Sequence, residues 1–99
     1  MNYNLLIINY ITSCELQKGL DSKTLKAYKI DLRQFAEYAN KNIIDNEKDL
    51  ICTYIESMHS KFKPKTIKRK TAVLKAFFHY LVYEEIIEIN PFDRIHIKL

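Results

Sequence analysis

The sequence predicts an all-α fold, a compact bundle of four helices. Three observations lead there. Apolar residues recur at three- and four-residue intervals in four separate stretches. One glycine and two prolines in 99 residues leave too little turn chemistry for a fold of many strands. Each stretch is also bounded by a recognisable helix start or stop signal. The length suits one domain with a single core, residues 1–99.

The first helix is expected over Tyr3–Lys18. Leu5, Ile8, Thr12 and Leu16 form one stripe, and Ile7, Ile11 and Cys14 form another. An arc that wide implies burial on two sides or docking against something outside the chain. Gly19 ends it, since glycine takes the left-handed backbone of a helix stop without penalty. The second helix opens at Asp21, a good N-cap, with Ser22 and Thr24 in its first turn. Leu25, Tyr28, Leu32, Phe35 and Ala39 give it one apolar face, and Asn40-Lys41-Asn42 breaks the pattern.

The third helix is expected over Glu47–Ser60, capped by Asn46. Glu47 and Asp49 sit in its first turn, where the helix dipole favours acids. Leu50, Ile51, Tyr54, Ile55 and Met58 make its core stripe. The fourth starts near Lys65, behind Pro64, and is predicted to reach Ile87. Ile67, Thr71, Leu74, Phe77, Phe78 and Leu81 share one arc. It stops before Asn90-Pro91, because a residue preceding proline is driven away from the α region. Phe92–Leu99 reads as a tail.

Composition narrows the function classes. Sixteen Lys and Arg against twelve Asp and Glu give a net charge of +4, a bias compatible with nucleic acid or an acidic partner. Cys14 and Cys52 fall in apolar helical runs and are expected to be buried free thiols. Cys and His are scattered without ligand spacing, so no metal site is expected. With Gly19 the only glycine, a glycine-rich phosphate loop is impossible. No cofactor is expected. No apolar run approaches the ~18 residues of a membrane span, and no signal peptide is visible. A cytoplasmic, reducing location is expected.

The charge is not spread evenly. His59–Lys75, HSKFKPKTIKRKTAVLK, contains seven Lys and Arg and no acid. Opposite the core stripe of the fourth helix lie Lys65, Arg69, Ala72, Ala76 and Tyr83. Lys68, Lys75 and His79 flank one side, and Thr66, Val73 and Tyr80 the other. Glu84, Glu85 and Glu88 come only at the far end. This order opposes the helix macrodipole, which favours acids first and cations last. An anionic ligand at the helix start would offset the misplacement. Small residues among cations also let a backbone approach a groove, where Arg can fork onto guanine edges and Lys can neutralise phosphate. The second helix repeats the arrangement with Lys23, Lys26, Ala27, Ile30, Arg33 and Gln34. Lys23 and Thr24 lie at its start, where free N–H groups can bind phosphate. A solvated basic face is the competing reading of both helices, with Asp31 and Glu37 balancing the second.

At these residues the sequence resembles a known family. GLDSKTLKAYKIDLRQFAEYA is similar to the start of the core-binding domain of tyrosine recombinases, the phage-integrase and Xer-like group. That run is typically Ser-x-x-Thr-x-x-x-Tyr-x-x-Asp-Leu-x-x-Phe. Thr24, Tyr28, Asp31, Leu32 and Phe35 match it, and Asp21 stands where the capping Ser usually is. KTIKRKTAVLKAFFHYLVYEEIIEINPF resembles the last core-binding helix, with Thr66, Arg69, Leu74, Phe77, Tyr80, Leu81, Asn90 and Pro91 in place.

The resemblance covers nearly the whole chain. It implies a four-helix SAM-like orthogonal bundle that grips double-stranded DNA at a recombination core site through its second and fourth helices. The DNA-binding residues expected are Lys23, Thr24, Lys26, Ala27, Ile30, Lys65, Thr66, Lys68, Arg69, Ala72 and Lys75. It also implies contacts between neighbouring protomers through the first helix. The family's catalytic set, a tyrosine nucleophile with arginines and a His-x-x-Arg motif, is not matched. None of His59, His79 and His96 has an Arg three residues on, and Tyr28, Tyr54 and Tyr80 are explained by packing or surface roles. No catalysis is assigned, and the catalytic domain would begin after Leu99. Two other functions compete: a stand-alone helical protein-interaction module, and a small DNA-binding regulator with a short recognition helix after a tight turn. A membrane-lying helix is disfavoured by the bulky core stripe of the fourth helix and its acidic end.

Overall fold

A computed structural model describes residues 1–95. Among them run four α-helices, α1 (Tyr3–Leu16), α2 (Ser22–Lys41), α3 (Glu47–Met58) and α4 (Pro64–Tyr83), then a 3-10 helix, η1 (Pro91–Arg94). There is no strand among the described residues. A radius of gyration of 13.0 Å is that of one packed domain of this length. No described helix is long and apolar enough to cross a membrane.

Side chains set the helix starts. Asn2 Oδ1 accepts from Leu5 N–H at 3.2 Å, Asp21 Oδ1 from Thr24 N–H at 2.8 Å, and Asn46 Oδ1 from Asp49 N–H at 2.9 Å. Each satisfies one of the donors that a helix start leaves open. At α4, Lys63 occupies the cap position without a side-chain bond and Pro64 supplies the first turn. Proline tolerates that place because its missing N–H would have no intrahelical partner.

The core is aromatic. Phe35, Phe77 and Phe78 are fully enclosed. Tyr3 lies edge-on to Phe35 at 5.1 Å between centroids, and Phe35 meets Phe78 at 5.9 Å and Tyr54 at 5.4 Å. Edge-to-face pairs of this kind add to the burial of the rings themselves. Burial pushes the Tyr3 and Tyr10 hydroxyls above their ordinary range.

The structure decides the open reading of α1 and changes several other expectations, with α1 and α3 ending at Leu16 and Met58 rather than at Lys18 and Ser60. Only one stripe of α1 is core: Ile7, Ile11 and Cys14 are buried together with Tyr3 and Tyr10, while Leu5, Ile8 and Leu16 are 55%, 61% and 77% exposed. Cys14 is a buried free thiol, but Cys52 is half-buried. The fourth helix stops at Tyr83 rather than Ile87. Glu85 takes the left-handed conformation at φ 60, its N–H donates to Val82 C=O at 3.0 Å, and Ile86 N–H donates to Leu81 C=O at 2.9 Å. These two bonds close the helix end.

The residues after Asn90 also begin as structure, not as tail. Asn90 Oδ1 accepts from Phe92 N–H at 3.0 Å, Pro91 is buried, and the Phe92 ring packs 6.1 Å from Phe78. η1 thereby folds back onto α3 and α4. The remainder of the predicted tail, including His96, lies outside the described residues.

Candidate nucleic-acid interface

Beyond Pro64 the exposed residues of α4 are Lys65, Lys68, Arg69, Ala72, Lys75, His79 and Tyr83. At 3.6 residues per turn these form one unbroken stripe along the helix. The opposite arc, from Ile67 through Leu81, is buried. The basic stripe and the core face are thus two sides of one amphipathic helix. Thr66 is half-buried at its edge, and Val73, expected on the outer flank, is buried.

On α2, Lys23, Lys26, Lys29, Ile30 and Arg33 are exposed, while Thr24, Ala27 and Gln34 are half-buried. The Thr24 N–H is already donated to Asp21, so the start of α2 is capped by its own carboxylate rather than left open to a phosphate. That hydrogen bond holds the Asp21 carboxyl below its ordinary value. Arg33 Nε lies 4.0 Å from Glu37 Oε1, with both side chains largely in solvent.

The two helices meet at Asp31. The competing reading of α2 as a solvated face put this residue in solvent, yet it is 3% exposed. Its Oδ1 accepts from Arg69 Nη2 at 3.0 Å and from Lys70 Nζ at 2.7 Å. Lys70, read with the basic run, is only 4% exposed. Its ammonium also donates to Gln34 Oε1 and sits 4.9 Å from the centre of the Phe62 ring. A buried ammonium requires such partners, because taking a charge out of water is expensive. Arg69 differs, since 57% of its side chain stays in solvent. Burial first, and then the charges of Asp31 and Glu37, push the Tyr54 hydroxyl up to about 12.

The bridge decides which predicted residues are brought together. Ala27 and Ile30 lie four and one residues before Asp31, and Lys65, Thr66 and Ala72 lie one turn either side of Arg69. By helical spacing, Ala27 shares the face of Asp31, and Lys65, Thr66 and Ala72 neighbour Arg69, whereas Ile30 is turned about 100° from Asp31. Lys23 and Lys26 are exposed nearer the N-terminus of α2, with Lys26 turned well away from Asp31 by helical spacing. Lys68 and Lys75 occupy the flank of α4 away from α2, and Lys75 Nζ lies 5.9 Å from the Phe92 ring. Sequence reasoning missed the role of Asp31, Gln34 and Lys70. The available signal was the spacing of Tyr28, Asp31, Leu32 and Phe35, which sets a carboxylate at the rim of a core stripe, where it requires a cation. No cluster of His, Cys, Asp and Glu fit to hold a metal occurs among the described residues.

The family model for the phage integrase N-terminal SAM-like domain matches residues 7–85. This chain belongs to that family. The SAM-like domain is 53% identical over 95 residues to a tyrosine recombinase of Agathobacter rectalis, covering 92% of this chain and 30% of that protein. It is 40% identical over 91 residues to tyrosine recombinase XerC of Thermodesulfovibrio yellowstonii, covering 91% and 30%. It is 28% identical over 98 residues to tyrosine recombinase XerD of Listeria monocytogenes, covering 93% and 33%. The chain therefore spans about a third of the length of these relatives. No solved structure matches it.

Proposed function

We propose that this SAM-like domain holds duplex DNA for a site-specific tyrosine recombinase, with residues 1–99 as one core-binding unit and the strand-exchange chemistry carried outside it. The observation that carries the reading is the unbroken basic stripe of Lys65, Lys68, Arg69 and Lys75 on α4, tied to α2 by the Arg69–Asp31 pair, with Lys23 and Lys26 exposed on α2. Ala72 and Ala27 keep the surface low between the cations, so phosphates and base edges can come close. The names borne by the relatives support the same reading. A length of 20 residues for α4 favours it over a small regulator with a short recognition helix. A cytoplasmic setting, where DNA is accessible, goes with it.

The test is a salt titration of the 99-residue chain on duplex DNA, followed by fluorescence anisotropy. Log affinity is expected to fall linearly with log salt, with a slope of about 0.9 per phosphate neutralised. Affinity that does not respond to salt overturns the reading.

A second surface role rests on α1. Leu5, Ile8 and Leu16 stand in solvent on one stripe, and a row of large apolar side chains is what a neighbouring protomer covers. Leu5→Asp with Ile8→Asp is expected to abolish self-association on DNA without unfolding the domain, measured by sedimentation with and without duplex. Unchanged association removes this role and leaves DNA binding untouched.

A further inference from the structure

We infer that Asp31 is a positioning residue for DNA recognition: it fixes the Arg69 guanidinium over the α2–α4 seam, and Lys70 is the permanent counter-ion that keeps this arrangement from cancelling the positive charge of Arg69. The inference rests on the proposed DNA-holding function and assigns roles within it.

Three features of the cluster carry it. Asp31 Oδ1 serves both cations at once, Arg69 Nη2 at 3.0 Å and Lys70 Nζ at 2.7 Å. Lys70 is sealed in, its ammonium held by Asp31 and Gln34 and its side chain 4% exposed. It cannot reach a phosphate, so its charge serves Asp31 alone. One carboxylate against one buried ammonium sums to zero, and the full positive charge of Arg69 remains on the surface. With 57% of its side chain in solvent, Arg69 has further N–H donors to offer. A guanidinium anchored by one nitrogen presents the rest of its fork along a set direction and loses less freedom on binding.

Without Lys70, the same carboxylate would neutralise Arg69 and turn the seam away from an anion. Without Asp31, Arg69 would keep its charge and lose its direction.

A double-mutant cycle on DNA affinity tests the assignment. The probe is a duplex recovered by the chain from a randomised pool. Asp31→Asn is expected to weaken binding to that duplex about fivefold or more in the otherwise unsubstituted chain, and less than about twofold when Arg69→Ala is already present. The long-range effect of removing a negative charge is common to both backgrounds, so it drops out of the cycle. If Asp31→Asn does not fold, Asp31→Asn with Lys70→Met removes the carboxylate and its counter-ion together and is placed in the same cycle. An equal factor in both backgrounds means that Asp31 only supports the fold, and it overturns the inference while DNA binding stands. Failure of the unsubstituted chain to recover any duplex overturns the proposed function, and the inference falls with it.

Discussion

Lys70 Nζ lies 2.7 Å from Asp31 Oδ1, and both side chains are almost completely withdrawn from solvent. This pair, 39 residues apart in sequence, joins α2 to α4 in a body whose other contacts are mainly apolar. A buried ion pair is weak as a source of net stability, but breaking one partner strands the other charge. Asp31→Asn alone is therefore expected to lose about 3–5 kcal/mol, because the buried Lys70 ammonium keeps only the neutral Gln34 and Phe62 as partners. Adding Lys70→Met to it should restore most of that loss. Urea denaturation of the single and double variants checks both. A double variant no more stable than the single would mean that the stranded ammonium is not the cause.

The enclosed rings set the largest apolar contribution. Phe77→Ala and Phe35→Ala each empty a fully buried site, and each is expected to cost about 3–5 kcal/mol. The exposed Leu16, by contrast, should tolerate alanine within about 0.5 kcal/mol. Denaturant midpoints of the three variants make the comparison.

Asp21 links stability to acid. Its carboxyl is lowered from an ordinary value of 3.8, chiefly by the hydrogen bond from Thr24 N–H. A carboxylate lowered in the folded state contributes stability that is fully present above the unfolded value and is lost as pH falls through the folded one. Asp21→Asn keeps the acceptor but removes the charge. The unsubstituted chain is expected to melt higher than this variant at pH 7, and the gap should close as pH is lowered below about 3.8. Thermal melts across that range measure it, and a gap independent of pH would rule out the carboxylate as its source.

Lysines close together in sequence should behave differently on DNA. Lys68→Ala and Lys75→Ala are each expected to reduce the salt slope by about 0.9. In an Arg69→Ala background, Lys70→Met paired with Asp31→Asn should leave the slope unaltered, because the buried ammonium never meets a phosphate. Anisotropy titrations at several salt concentrations separate the two classes.

Legibility in the sequence followed the range of the interaction concerned. Asp21 and Asn46 were readable as caps because each acts on an N–H three residues away. The core faces of α2 and α4 were readable from spacing alone. Lys70 was not, because a lysine reads as surface until a carboxylate on another helix is known to meet it. Asp31 failed for the same reason in reverse. The two stripes of α1 were both visible, but which one meets Phe35 and Phe77 depends on the packing angle of the helices and not on any local pattern. Pro91 and Phe92 looked like a tail since their partners, Phe78 among them, lie well back along the chain. The basic stripe was legible in outline, whereas its attachment to α2 through Arg69 was not.

The docking of η1 has a kinetic consequence. Helical turns and the hairpin of α1 with α2 form from near neighbours, but Pro91 and Phe92 must wait for α3 and α4 to present a finished surface. Contacts that assemble after the rate-limiting step govern how fast a protein comes apart more than how fast it assembles. Phe92→Ala should then accelerate unfolding while the refolding rate barely changes. The last short turn would act as a latch on the lifetime of the native state.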